Sequence, residues 1–233
     1  MKSPFCHIED MFTTLNDAGV KYVVLRNFEN LLKPEFYVDG HGDIDMLCID
    51  PQEIVDLIDA RSLTQDKSGM HGDCVHYAIE LNGKPVQLDL RHVGDGYYCT
   101  KWEKEMLERR VVSNCLYVMN EIDYFYSLIY HAVLQKRSLS QEYTLRLKQM
   151  SKALGLSVTS ANDHEFLQLL QNYMRDMGYH YSYSHDYLVP NRFHLVDQDL
   201  VDKNCALKWK HNLYDMKIGI IEWLVKIKHT LLH

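Results

Sequence analysis

Strand-like and helix-like patterns occupy different halves of this chain, and that separation limits the folds it can adopt. Up to about residue 118, short apolar runs rich in valine, isoleucine and tyrosine are typical of β-strands, with helical segments between them. Beyond that point apolar residues recur at helical spacing. The sequence therefore predicts an α+β fold, with a mixed β-sheet flanked by helices over residues 1–118 and a helical domain over residues 119–233.

The individual elements follow from the same patterns. Strands are expected at residues 22–25, 44–49, 76–81, 86–90 and 111–118, and helices at 7–19, 51–60 and 101–107. Asn82-Gly83 between two strand-like runs predicts a β-hairpin, and the polar stretch 27–42 predicts a loop. In the second half, helices are expected at residues 121–135, 142–154, 163–177 and 209–232, with an aromatic loop over 179–193.

Composition narrows the class of protein. The chain has 233 residues, 46% of them hydrophobic, and a net charge of -7, so it is folded and not suited to extended nucleic-acid binding. Its six cysteines form no C-x-x-C pair, which indicates buried thiols in a reducing compartment. The first residues contain no signal-peptide pattern, and the most apolar later segment, 218–225, is too short to span a membrane. A cytoplasmic protein without a transmembrane segment is expected.

Three carboxylates interrupt otherwise apolar strands. Asp43 and Asp45 are two residues apart, so in a strand they project to one face while Ile44 and Met46 enter the core. Asp89 is a further isolated carboxylate on the strand after the hairpin. Like charges so close together repel, and a hard divalent cation removes that penalty because it binds carboxylate oxygens. The pattern predicts a Mg²⁺ or Mn²⁺ site at Asp43, Asp45 and Asp89.

These residues resemble a known superfamily. A strand with an aspartate pair, followed by a later strand with one aspartate, is similar to the DNA polymerase β-type nucleotidyltransferases, and the resemblance covers residues 21–118. More narrowly, residues 22–31 before 42–45, and the helix over 121–132, resemble a bacterial nucleotidyltransferase group often linked to surface-polysaccharide pathways. The resemblance implies a nucleotidyltransferase-like sheet with a helical domain after it.

The resemblance also implies an activity. Nucleoside triphosphate would be the substrate, a nucleotidyl or related phosphoryl group would move to a small acceptor such as a sugar phosphate, and Asp89 would help to deprotonate the acceptor hydroxyl. Arg26 and Arg91 are the candidates for contacts with phosphate. One departure concerns the grip on the triphosphate, because Leu25-Arg26-Asn27 stands where the superfamily has a Gly-Ser pair.

Several alternatives stay open at this stage. In one alternative, the aspartates are surface carboxylates of an edge strand. In another, Arg26 pairs with a nearby acidic residue and Arg91 forms a salt bridge with Asp43 or Asp45. Two further alternatives compete with the small-molecule nucleotidyltransferase. One is a non-catalytic module that binds a nucleotide or a partner, and the other is a toxin-like enzyme that acts on RNA or protein through a local basic cleft. His131 faces either the core or the cleft between the halves.

Overall fold

A seven-stranded mixed β-sheet organises the fold. The computed structural model describes residues 5–33, 43–63, 75–187 and 189–231. Within these ranges the strands lie in the order β3-β4-β5-β2-β1-β7-β6. The pairs β2–β5 and β1–β7 are parallel, and the other neighbouring pairs are antiparallel. The strands are β1 (Tyr22–Val24), β2 (Asp43–Cys48), β3 (Arg61–Ser62), β4 (His76–Leu81), β5 (Lys84–His92), β6 (Val111–Ser113) and β7 (Leu116–Val118).

The described helices lie on both faces of this sheet, which gives the α+β class that the sequence predicts. They are α1 (Ile8–Asp17), α2 (Pro51–Ile58), α3 (Thr100–Glu108), α4 (Glu121–Ile129), α5 (Gln141–Ala153), α6 (Asp163–Met177) and α7 (Cys205–Leu231). A π-helical turn, Tyr130–Leu134, continues α4, and two short 3₁₀ turns precede α7. None of the described helices combines the length and apolarity that crossing a membrane requires.

Alternation along the central strands decides what each sheet face contacts. Ile44, Met46 and Leu88 point to the face covered by α1 and α2, where they form one apolar core. On the other face, Val23 and Leu47 join a larger core with residues of α3, α4 and α6. The aspartates of β2 and β5 alternate with the first set, so they lie on the second face, toward the helical half.

The hairpin prediction is confirmed. Asn82 and Gly83 both have positive φ angles, of 50° and 70°, as a type I′ turn between β4 and β5 requires. The resulting register places His76 directly opposite Asp89. A two-residue turn therefore determines which β4 side chain lies beside the third aspartate.

Some element predictions were wrong in detail. Residues 111–118 form two strands, because Asn114 adopts a positive φ of 55° and turns the chain between β6 and β7. The helix expected over 121–135 changes to π-helical geometry at Tyr130. Strand β3 was not predicted, and α7 begins four residues before the expected start at residue 209. Most of the loop predicted for 27–42 lies outside the described residues.

The division at residue 118 stays a prediction. The larger apolar core contains residues from both sides of it, such as Leu25 and Leu47 before it and Leu128 and Phe166 after it. The sheet face that carries the aspartates and the helical half therefore share one interior.

Candidate active site

The three predicted carboxylates come together on two neighbouring strands in the middle of the sheet. Strands β2 and β5 are parallel, and their register pairs Asp45 with Asp89. One potential ligand atom of each of Asp43, Asp45 and Asp89 lies within 4.8 Å of the others. Asp45 and Asp89 are buried and Asp43 is half-buried. Because β2 lies between β5 and β1, the alternative of surface carboxylates on an edge strand is wrong.

Arg26 and Arg91 flank this carboxylate cluster, and each forms an ion pair. Arg26, just after β1, donates from Nη2 to Asp45 and from Nη1 to the hydroxyl of Tyr97, at 2.9 Å. Arg91 lies two residues after Asp89 and donates to Asp186 at 2.9 Å. The salt bridge left open for Arg26 is therefore present with Asp45, whereas the one for Arg91 is made with Asp186, in the aromatic loop.

Tyr97 connects the arginines to the helical half. The Arg91 guanidinium carbon lies 4.4 Å from the centre of the Tyr97 ring, and the Tyr97 hydroxyl lies 3.2 Å from Nδ1 of His131. The Oε1 atom of Gln135 lies 3.3 Å from the same ring nitrogen, and its Nε2 donates a hydrogen bond to the Tyr97 carbonyl at 3.1 Å. His131 belongs to the π-helical turn, a deviation from α-helix that is frequent at functional sites. Both expectations for His131 hold in part, because it is buried and also lines the cleft.

Two polar side chains hold Asp89 in place. The Nδ1 atom of His76 lies 2.8 Å from Oδ1 of Asp89, and Gln87 donates to the same oxygen at 3.0 Å. Burial acts to raise the pKa of Asp89, but the hydrogen bonds from His76 and Gln87 and the charge of Arg91 outweigh it, so this pKa is lowered. Asp89 is therefore ionised at neutral pH, with one oxygen engaged by protein donors.

The electrostatic field at Asp43 is different. Burial, followed by the charges of Asp45 and Asp89, raises the pKa of the Asp43 carboxyl, and Arg26 offsets only part of this effect. The cluster thus has more negative charge than its arginines neutralise. Burial and then the charge of Arg26 lower the pKa of His131 well below its usual range, so that its imidazole is neutral at pH 7.

The cluster opens into a cleft of about 260 Å³. The three aspartates, His76 and the two arginines form its sheet side. The other side of the cleft is formed by the β5–α3 loop, by the π-helical turn with the two residues after it, and by the aromatic loop. The lining residues on this side are Tyr97, His131, Gln135, Lys136, Asp186, Val189 and Pro190. The site therefore lies between the sheet and the helical half.

The donor set fits a hard divalent cation. All three potential ligands are carboxylates, and Mg²⁺ and Mn²⁺ prefer oxygen donors while keeping water or phosphate as further ligands. The negative charges of Asp45 and Asp89, which help to raise the pKa of Asp43, also favour a divalent cation at this position. Zinc, in contrast, favours nitrogen and sulfur ligands.

Several site residues were missed by the sequence analysis. The position of His76 beside Asp89 could have been predicted from the sequence, since a two-residue Asn-Gly turn fixes the register of the hairpin. Tyr97 and Gln135 gave no signal, because their contacts join a loop after β5 to a helix more than thirty residues later. Asp186 was visible only as one residue of an aromatic loop, and its pairing with Arg91 spans 95 residues.

Comparisons with known proteins give a distant likeness. No family model and no curated protein matches the chain. An antigenic nucleotidyltransferase-like protein from Paracoccidioides brasiliensis aligns over 72% of this chain and 86% of its own, with 12% identity and a TM-score of 0.39. The antibiotic-resistance factor ANT(2'')-Ia aligns over 72% of this chain and 89% of its own, with the same identity and TM-score. At this distance, the function of the chain has to be inferred from the site's own residues.

Proposed function

We propose that this protein is a metal-dependent nucleotidyltransferase. It would move a nucleotidyl or related phosphoryl group from a nucleoside triphosphate to a small acceptor such as a sugar phosphate. The observation that carries the proposal is the convergence of Asp43, Asp45 and Asp89 on adjacent central strands, at the base of a cleft that also contains two arginines. Carboxylates with a purely structural role have no need to gather and stay ionised in this way, because their mutual repulsion costs stability.

Asp43, Asp45 and Asp89 would hold Mg²⁺ or Mn²⁺. A divalent ion there neutralises charge on the phosphates and polarises the phosphoryl group. The remaining work falls to positioning and electrostatics, which dominate phosphoryl transfer. Asp89, whose Oδ1 is held by His76 and Gln87, would accept a hydrogen bond from the acceptor hydroxyl and would help to remove its proton.

The arginines would meet the phosphates. Arg91 is buried, and its Nη1 has no hydrogen-bond partner among the described residues, so this donor is available to a substrate oxygen. Arg26 would have to exchange its bond with Asp45 for a bond with phosphate. Lys136 adds an exposed positive charge at the rim.

Calorimetry with Mn²⁺ and Mg²⁺, with and without nucleoside triphosphates, tests the proposal. The wild type should bind the metal and should bind nucleotide only when metal is present, and pyrophosphate release with sugar phosphates should follow. Asp43→Asn/Asp45→Asn should lose both. Asp17→Asn is the matched control, because Asp17 is exposed at the end of α1, on the opposite face of the sheet. A wild type that binds neither metal nor nucleotide would refute the proposal.

One observation favours a second candidate, a non-catalytic module that binds a nucleotide or a partner. Arg26-Asn27 replaces the Gly-Ser pair, Arg26 is paired with Asp45, and the Asn27 side chain accepts a hydrogen bond from Arg146 at 3.1 Å. These contacts occupy the place from which a triphosphate would be held. Metal-dependent nucleotide binding with no pyrophosphate release across an acceptor panel would support this candidate over the enzyme.

A further inference from the structure

Helix α7 carries an apolar stripe that faces away from the rest of the molecule. Its members are Trp209, Leu213, Met216 and Ile220, which are 63%, 38%, 58% and 52% exposed. Their spacing of four, three and four residues keeps them on one side of the helix. Exposed single apolar residues are common, but four large ones aligned along three turns form a contact surface.

The opposite face of α7 fixes the helix to the protein. His211 is 1% exposed, and its Nε2 lies 2.7 Å from the carbonyl of Ser184 in the aromatic loop. The rings of Tyr183 and Tyr187 pack against His211, with ring centres 5.7 and 5.4 Å away. Leu207 adds contacts with the larger core. The helix is therefore held by one side, which leaves the apolar stripe without a contact to bury it among the described residues.

The charge of α7 is opposite to that of the chain as a whole. From residue 205 to the end there are five lysines and only two carboxylates, whereas the whole chain has a net charge of -7. Lys208, Lys210 and Lys217 are exposed beside the stripe. An apolar stripe bordered by lysines on an otherwise acidic protein is complementary to a surface that has negative charge on the outside and apolar groups just beneath it.

A second copy of the chain fits this stripe poorly. Treated as the seam of a coiled coil, the stripe is flanked by Lys210 and Lys217 on one side and by Asn212 and Gly219 on the other. No carboxylate occupies these flanking positions, so paired helices would lack the interhelical ion pairs that specify a coiled coil. In an antiparallel pair the lysines would face each other.

We propose that α7 docks this protein on a membrane surface rich in anionic lipid. The helix would lie in the plane of the interface, with Trp209, Leu213, Met216 and Ile220 inserted among the headgroups and the lysines against lipid phosphates. The apolar stripe and the lysines are both required, because each alone would bind a membrane only weakly. Together they would give reversible membrane binding. This inference stands independently of the transfer reaction.

Vesicle co-sedimentation of the full chain tests it, using phosphatidylcholine vesicles with and without phosphatidylglycerol. The wild type should sediment with the anionic vesicles and remain in solution with the neutral ones. Met216→Ser/Ile220→Ser should abolish binding. Lys208→Gln/Lys210→Gln should weaken it by about 10-fold, because each lysine near an anionic surface contributes several-fold in affinity.

The control for lost apolar surface is Val111→Ser/Val112→Ser, which removes two exposed side chains from β6 and should bind like the wild type. All variants are on the surface, and their melting temperatures check that the fold is retained. No binding by the wild type, or equal binding by Met216→Ser/Ile220→Ser, would overturn the inference. So would a dimer in light scattering that the same double variant converts to a monomer, since a second copy would then cover the stripe.

Discussion

Two groups of carboxylates converge in this protein, and their surroundings differ. Asp43, Asp45 and Asp89 gather at the cleft beside arginine side chains. Asp95 and Glu103, in the loop after β5 and in α3, meet in the interior, where they are 1% and 0% exposed. Glu103 accepts hydrogen bonds from the backbone N–H groups of Gly94 at 2.7 Å and Tyr98 at 3.0 Å, and its carboxyl also shares a hydrogen bond with the side chain of Asp95.

The two groups relieve the same repulsion in different ways. Burial, and then the charge of Asp95, raises the pKa of Glu103 to about 8, while burial raises the pKa of Asp95. The interior pair therefore holds a proton at neutral pH. In the cleft, Arg26 forms an ion pair with Asp45, and the hydrogen bond from His76 helps to lower the pKa of Asp89, so Asp89 keeps its charge. A shared proton removes the repulsion within a structural pair, whereas carboxylates that stay ionised are available to bind a metal ion.

The largest effect is expected from removing the cleft charges. Asp43→Asn/Asp45→Asn should weaken Mn²⁺ binding by about 100-fold or more, since removing even a supporting partner of a metal ligand costs about 10- to 100-fold. Calorimetry at constant ionic strength measures it. The corresponding change in the interior pair, Glu103→Gln, should leave Mn²⁺ affinity unchanged. Equal losses in the two variants would mean that the clusters do not differ as described.

Arg26 should compete with the metal ion for Asp45. Arg26→Gln removes a buried positive charge that is bonded to this carboxylate, so Mn²⁺ without nucleotide should bind about 10-fold more tightly. Nucleotide affinity in the presence of metal should fall in the same variant, because the proposed contact between Arg26 and phosphate is lost. Arg175→Gln, whose arginine pairs with Asp197 outside the cleft, is the control. Weaker binding of Mn²⁺ alone by Arg26→Gln would contradict the competition.

The interior pair should make stability depend on pH. Glu103 has an ordinary pKa of 4.5 when unfolded and about 8 when folded, so the folded state retains a proton that the unfolded state loses. The free energy of unfolding should therefore decrease as pH rises from about 5 to about 8. Glu103→Gln cannot ionise, and its chemical unfolding at a series of pH values should show a smaller decrease than the wild type.

Glu108→Gln is the matched control for that experiment, because Glu108 is exposed on the same helix. Its pH profile should follow the wild type. A Glu103→Gln profile parallel to the wild type would show that Glu103 ionises alike in the folded and unfolded states. The comparison uses the slopes of the profiles and is therefore independent of any constant loss of stability.

How far the sequence could anticipate these two clusters depends on the distance of the contacts. Alternation within a strand placed Asp43 and Asp45 on one face, because that geometry is local. The parallel pairing of β2 with β5, which sets Asp45 beside Asp89, joins strands about forty residues apart and has no local signature. The choice of Asp45 as the partner of Arg26 depends on the antiparallel register of β1 with β2. The interior pair was not predicted, since glutamate is usually a surface residue, although Glu103 lies three and four residues before Met106 and Leu107 on the buried face of α3.

The smallest effect is expected at His76. Its ring holds Oδ1 of Asp89, but Gln87 donates to the same oxygen, so the carboxylate keeps one of its two partners when the ring is removed. His76→Ala should weaken Mn²⁺ binding only by about 10-fold or less. His76→Asn places an amide donor near the position of Nδ1 and should recover most of the loss. The exposed His164→Asn should have no effect. If His76→Ala and His76→Asn bind Mn²⁺ equally weakly, the ring acts through its size rather than through this hydrogen bond, and orientation of Asp89 would rest on Gln87 alone.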